Sequence, residues 1–179
     1  MPFKFFSLLL LGLTILAASC SREQPLPTPR KKAQVINKDS IKNQFIRANK
    51  QVVQKESDEM DYYASSHQMP FVKTSSGIRY YVYQHSAKGD SIRDSSMVTL
   101  KYKVSLLDGT ECYSSKTDGP KTFRVDRMDL ESGIHMALFY LKRGDKALVL
   151  IPSHLAHGLL GDFKKIPPQM PIVYDVEVQ

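Results

Sequence analysis

Val98-Thr99-Leu100-Lys101-Tyr102-Lys103-Val104 alternates apolar and polar residues without a break. Successive side chains of an extended strand point to opposite faces, so this run turns one face to a core and the other to water. Asp108-Gly109 follows at once, a dipeptide suited to a tight turn. Upstream, Ile78, Tyr80 and Val82 alternate in the same way against Arg79, Tyr81 and Tyr83, with a loop at Lys88-Gly89-Asp90 between the two runs. Both runs read as half-buried antiparallel strands.

Downstream the period changes. Across residues 130–141, Ile134, Leu138 and Leu141 share one helical face. Gly144 follows as a stop, and Lys142 and Arg143 suit the negative end of the helix dipole. Ala147 to Ile151 and Ile172 to Val178 are apolar runs of strand length, and Ile166-Pro167-Pro168 closes the loop before the second. The C-terminal part is therefore α+β, a mostly antiparallel sheet with one short helix covering a face.

The N-terminal part is built differently. Lys4 precedes an apolar stretch from Phe5 to Ala18, which is short for a membrane span and has the form of an export signal. Leu16-Ala17-Ala18-Ser19-Cys20 resembles a bacterial lipobox, which implies cleavage after residue 19 and lipidation of Cys20. Pro25, Pro27 and Pro29 stiffen a basic linker. Residues 39–65 contain no Gly or Pro, and Ile41, Phe45, Ala48, Val52, Met60 and Tyr63 recur at helical steps, with Lys55 and Glu56 interrupting the stripe. Such a helix packs on the domain behind it or pairs with a second copy. The expected organisation is a signal peptide at 1–19, a linker at 20–38, a helical segment at 39–68 and a folded domain at 70–179.

The formal charge of +7 comes partly from the linker, and no nucleic-acid-binding motif accompanies it, so no nucleic-acid partner is expected. With Cys20 lipidated, Cys112 has no partner for an intrachain disulfide. His154 and His157 have a spacing seen in metal sites, but no further ligand cluster completes one.

From Ser96 onward the order of motifs is specific. Tyr102, Leu107-Asp108-Gly109, Ser114-Ser115 and Gly133 come first. Leu141-Lys142-Arg143-Gly144-Asp145-Lys146-Ala147, Ile151-Pro152, Leu155-Ala156-His157-Gly158, Ile166-Pro167-Pro168 and Tyr174-Asp175-Val176-Glu177 follow. This succession resembles the FKBP-type peptidyl-prolyl isomerases. Cys112-Tyr113-Ser114-Ser115 and the run from Leu155 to Asp162 are similar to the gliding-motility-associated lipoproteins of that type from Bacteroidetes. The resemblance implies a bent antiparallel sheet wrapped around one short helix, with an apolar pocket between them.

It also implies a reaction. Rotation about an X-Pro bond makes and breaks no covalent bond, and its barrier of about 18–20 kcal/mol comes from amide resonance. A pocket that favours the twisted amide over the planar one is a catalyst, and a thousandfold acceleration needs only about 4 kcal/mol. No cofactor, metal or general base is required. By position in the family, Tyr102, Phe123 and Tyr174 would form aromatic walls, with Leu130 and Ile134 as the floor. Glu131 would offer its backbone N–H, His157 a polar tip, and Ile166 further lining. Ile134 stands where the family usually has Trp, Cys112 where it has Phe, Tyr113 where it has an acid, and His157 where it has Tyr. Losing an indole removes about 1–2 kcal/mol of apolar contact. The resemblance thus implies either an isomerase for exported proteins, slower or differently selective, or a catalytically weak chaperone or binding subunit of an envelope machine.

Overall fold

A computed structural model describes residues 38–125 and 130–179, and Lys38–Gln179 form one compact unit. The signal segment, the linker and Cys20 lie outside the described residues. Helix α1 (Lys38–Ser66) comes first, then strands β1 (Val72–Lys73), β2 (Arg79–Gln84), β3 (Met97–Leu106) and β4 (Glu111–Ser114). A one-turn helix α2 (Ser115–Asp118), strand β5 (Lys121–Arg124), helix α3 (Ser132–Leu138), β6 (Lys146–Ile151) and β7 (Ile172–Val178) complete the fold. Among the described residues no helix is long and apolar enough to cross a membrane.

All strand pairs are antiparallel. The sheet runs β1-β2-β6-β7-β3-β4, and β5 also pairs with β3. The ten residues of β3 serve two partners in tandem: Met97–Leu100 faces β5 and Lys103–Ser105 faces β4. The alternation in the sequence appears directly in burial. Val98, Leu100, Tyr102 and Val104 of β3 join Tyr174, Val176 and Val178 of β7 in one core cluster. Ala147, Val149 and Ile151 of β6 and Ile134, Ala137 and Leu138 of α3 complete it. Helix α3 ends at Leu138, well before Gly144, and the next bonds are i to i+3, from Tyr140 N–H to Ala137 and from Leu141 N–H to Leu138. Gly144 (φ +84°) belongs instead to the turn into β6, where the buried Asp145 carboxylate accepts from the N–H groups of Lys142 and Ser86. Arg143 does not serve the dipole either; its guanidinium donates to the carbonyls of Gln179 and Met97.

The other face of the sheet departs from the expectation of simple exposure. The second half of α1 lies across it. Met60 packs with Leu150 and Val173, flanked by Tyr63, Phe71, Leu107 and Leu148. Burying a side chain such as Met60 contributes roughly 2 kcal/mol. Two polar residues clamp the helix down. Arg79, on the face that alternation assigns to solvent, is 1% exposed. Its Nε donates to Asp61 Oδ1 at 2.8 Å, and its other nitrogens donate to the Ser57 carbonyl at 3.0 Å and the Gly77 carbonyl at 2.6 Å. Glu56, which interrupts the apolar stripe, is 3% exposed and accepts from Ser153 Oγ at 2.5 Å and Ser153 N–H at 2.9 Å. By contrast every residue from Lys38 to Gln51 is exposed, Ile41 and Phe45 included.

Burial alone would raise the Asp61 carboxyl, but bonds from Arg79 and Lys73 outweigh it and hold it below its ordinary 3.8. A depressed carboxylate contributes stability above its unfolded pKa and loses it as pH falls through the folded value. Helix docking therefore weakens in acid below about pH 4. Arg79→Met removes the centre of the clamp and leaves Ser57 and Gly77 groups unmatched. It is expected to lower stability by about 3 kcal/mol, read as a lower urea midpoint with the wild-type slope. An unchanged midpoint would show that the apolar contacts alone hold the helix.

Candidate active site

Three segments converge on the face of the sheet that packs against α3. Strands β3 and β7 supply adjacent aromatic rings, with Tyr102 and Tyr174 centroids 6.3 Å apart at 50°. The residues entering α3 supply Glu131, and the loop from β6 to β7 supplies His157. Close approach of α3 to that loop depends on Gly133. A Cβ there would lie 2.3 Å from Ile151 Cγ2 and 3.0 Å from the Leu155 carbonyl. Any larger residue would push the helix start outward and separate Glu131 from its partners.

The Glu131 carboxylate joins the three segments. Tyr174 O–H donates to Oε2 at 2.7 Å, and His157 Nε2 lies 3.0 Å from Oε1. That contact is a hydrogen bond with a neutral ring and an ion pair with a protonated one. The two side chains are only 23% and 15% exposed. Burial, then the nearby Glu131 charge, raises the Tyr174 phenol well above its ordinary value. Tyr102 is raised as well, by burial and then by Asp118 and Glu131. Both phenols are therefore uncharged at neutral pH.

Together these groups border a cleft of about 400 Å³, with Val104 on the same wall. Asp118, Lys121, Tyr113, Asp162 and Lys164 form its rim. Lys121 Nζ sits 5.3 Å from the centre of the Tyr102 ring, a distance at which a cation is attracted by the ring face. The rim is held by Asp162. Its Oδ1 accepts from the N–H groups of Lys164 at 2.9 Å, Lys165 at 2.9 Å and Ile166 at 2.8 Å, and its Oδ2 accepts a short bond from Tyr113 O–H. Beside this knot Leu159, Leu160 and Phe163 stand 67%, 65% and 82% exposed.

Of the residues expected at the site, Tyr102, Glu131, His157 and Tyr174 border the cleft. Phe123, Ile134 and Ile166 are buried in the core cluster, and Leu130 packs on that cluster half-buried. Phe123 meets His135 edge-on at 5.1 Å. It is the Glu131 side chain that meets Tyr174 and His157 at the cleft. Asp118, Lys121, Asp162 and Lys164 were not foreseen; Asp162 closes the Leu155–Asp162 run singled out in the sequence, and that was the one available sign of it. His154 is exposed while His157 turns inward, so the pair does not converge. Cys112 is buried, and burial raises its thiol, which makes it a poor nucleophile. A larger crevice of about 650 Å³ lies between α1 and the β3–β4 turn, walled chiefly by Tyr62, Tyr63, Leu107 and Met170.

Residues 89–179, about half of the chain, match the family described as FKBP-type peptidyl-prolyl cis-trans isomerase, and the chain belongs to that family. The FKBP-type isomerase FkpA of Escherichia coli K12 is 39% identical over 108 residues, which span 60% of this chain and 39% of that protein. The macrophage infectivity potentiator of Trypanosoma cruzi is 35% identical over 111 residues, spanning 60% of this chain and 54% of that one. The matched region thus covers only part of these relatives. Among solved structures, E. coli FkpA superposes with a TM-score of 0.60 at 26% identity, covering 96% of this chain and 79% of that one. An isomerase from Pseudomonas syringae reaches 0.61 at 25% identity, covering 72% and 92%.

The bond to Asp162, followed by burial, pushes the Tyr113 phenol up to about 12. Burial would raise Asp162, but the Tyr113 bond and three backbone N–H groups carry it well below its ordinary 3.8. The Asp162 contribution is therefore lost as pH falls below that value, and the Tyr113 contribution as pH rises from 10.0 toward 12. Asp162→Asn keeps an acceptor for the backbone and removes the charge. Tyr113 is then expected to titrate near pH 10 by ultraviolet difference absorbance. A phenol still ionising near 12 would mean that the carboxylate is not what holds it.

Proposed function

We propose that this protein is a peptidyl-prolyl cis-trans isomerase acting on X-Pro bonds of exported polypeptides at the cell envelope. The observation that carries the reading is the cleft itself. The Tyr102 and Tyr174 rings stand side by side with Val104 along the cleft wall in a chain of the FKBP family. A planar amide keeps its resonance and charge separation; a twisted one has lost both. An apolar wall penalises the first more than the second, and that difference lowers the barrier. The polar groups of the cleft do not spoil this, because Glu131 is already bonded to Tyr174 and His157. They leave a few oriented groups for the peptide backbone on either side of the proline.

Leu159, Leu160 and Phe163 favour a second reading alongside the first. Their exposure beside the cleft gives an unfolded chain an apolar landing surface, as a chaperone of low catalytic power would need. Exchange of a short X-Pro peptide separates the two. Wild-type protein is expected to accelerate cis/trans exchange, and Tyr102→Ala to lose at least tenfold of the acceleration while staying folded. A folded wild-type protein without acceleration would leave only the holding function.

Cys20 is what supports the location. A diacylglyceryl group on its thiol would hold the chain on a membrane, each buried methylene adding about 0.8 kcal/mol, with the folded domain facing the periplasm, most simply from the outer membrane. The exposed apolar residues Ile41, Phe45 and Ile46 on the first half of α1 fit pairing with a second copy. One preparation tests both. Labelled palmitate is expected on wild-type protein and absent from Cys20→Ala, and light scattering of that soluble variant should give the mass of a dimer. Label retained on the variant, or a monomer at every concentration, would remove the respective claim.

A further inference from the structure

We infer that Glu56, on the helix that precedes the sheet, is a positioning residue for His157 in the cleft. The inference rests on the isomerase reading of that cleft and extends its working parts to α1. Glu56 is a carboxylate in a nearly water-free place, and both of its oxygens are taken by one residue. Oε1 accepts from Ser153 Oγ at 2.5 Å and Oε2 from Ser153 N–H at 2.9 Å. Ser153 is the first residue of the single 3₁₀ turn that leaves β6. Its carbonyl in turn accepts two N–H groups, from Ala156 at 2.9 Å and from Gly158 at 2.7 Å. These are the residues on either side of His157.

The backbone that carries the imidazole is therefore hung from Ser153 at both ends, and Ser153 is fixed in orientation by Glu56. The chain of bonds continues from His157 to Glu131 and from Glu131 to Tyr174. A hydrogen-bonded path thus leads from the helix on one side of the sheet to the cleft on the other. A carboxylate suits the junction because it accepts two charge-assisted bonds in a fixed fork. A buried polar group placed only to dock a helix would not need to hold the one residue from which the His157 segment is suspended. Glu56 has no contact with the cleft, so its effect passes through the loop.

The test uses the full-length protein and three readouts: amide hydrogen exchange, the His157 ring resonance, and X-Pro peptide exchange kinetics. In Glu56→Ala, the amides of Ala156 and Gly158 are expected to exchange at least tenfold faster while those of β6 and β7 keep their protection. The His157 signal should shift and kcat/KM should fall about fivefold. Glu56→Gln, which can still bond Ser153, should return all three to within about twofold of wild type. A folded Glu56→Ala variant with unchanged exchange at Ala156 and Gly158 and an unmoved His157 signal would overturn the inference and leave Glu56 as a docking contact only. Should that variant fail to fold, Ser153→Ala decides. It keeps the backbone bond to Oε2 and is expected to speed the same two amides about threefold and shift the His157 signal. Silence of both readouts there would overturn the inference equally. If wild-type protein shows no isomerisation, the isomerase reading falls, while the amide and ring signals still decide the role of Glu56.

Discussion

Arg79 carries a full charge into a position that water hardly reaches. Such a burial is tolerable only where nearly every N–H of the guanidinium finds an acceptor, and here the acceptors come from two sources. Asp61 and Ser57 belong to helix α1, and the Gly77 carbonyl belongs to the turn before β2. The helix and the sheet edge thus each complete the other's hydrogen bonding. With Glu56 performing the reverse service for Ser153, two buried charges of opposite sign fix the helix along and across the sheet. Apolar contact through Met60 gives adhesion, but it is the polar groups that define register, since hydrophobic contact alone is non-directional.

That arrangement explains where the sequence was legible and where it was not. Period-two alternation identified β2 and β3, because the inward residues of each face a conventional apolar core. The same alternation says only that Arg79 points away from that core; it does not say what lies on the far side. Likewise Glu56 reads as a break in the α1 stripe, since a lone carboxylate gives no hint of a serine ninety-seven residues away. The short elements β4, α2 and β5 were not read at all. Each has four residues, too few to establish a period; β4 and β5 exist because the long β3 offers an edge to pair with, and α2 is a single turn capped by Ser114. Helix α3 was read too long because Tyr140 and Leu141 continue the apolar face in tighter turns after the helix has ended.

The cleft was legible in a different way. Composition and spacing alone would have placed Tyr102 and Tyr174 in an ordinary core; it was the ordered likeness to a family that singled them out. That likeness also flagged His157 as a departure, and the structure supplies its context. A histidine there meets a glutamate that also accepts from a tyrosine, so three residues scattered over forty-four positions form one polar wall. No local pattern announces such a wall, because its members share neither a helix face nor a strand.

The order of strands has one more consequence. The strand that joins β1, β2 and β6 to β3, β4 and β5 is β7, which follows the other six in chain order among the described residues. A polypeptide emerging N-terminus first would hold two partial sheets with no strand pairing between them until β7 is free. Closure of the sheet is then a late, long-range event, of the kind that proceeds slowly and leaves open strand edges while it waits. A protein of the prolyl-isomerase family is thus itself a chain whose sheet closes only when the seven-residue strand β7 is in place.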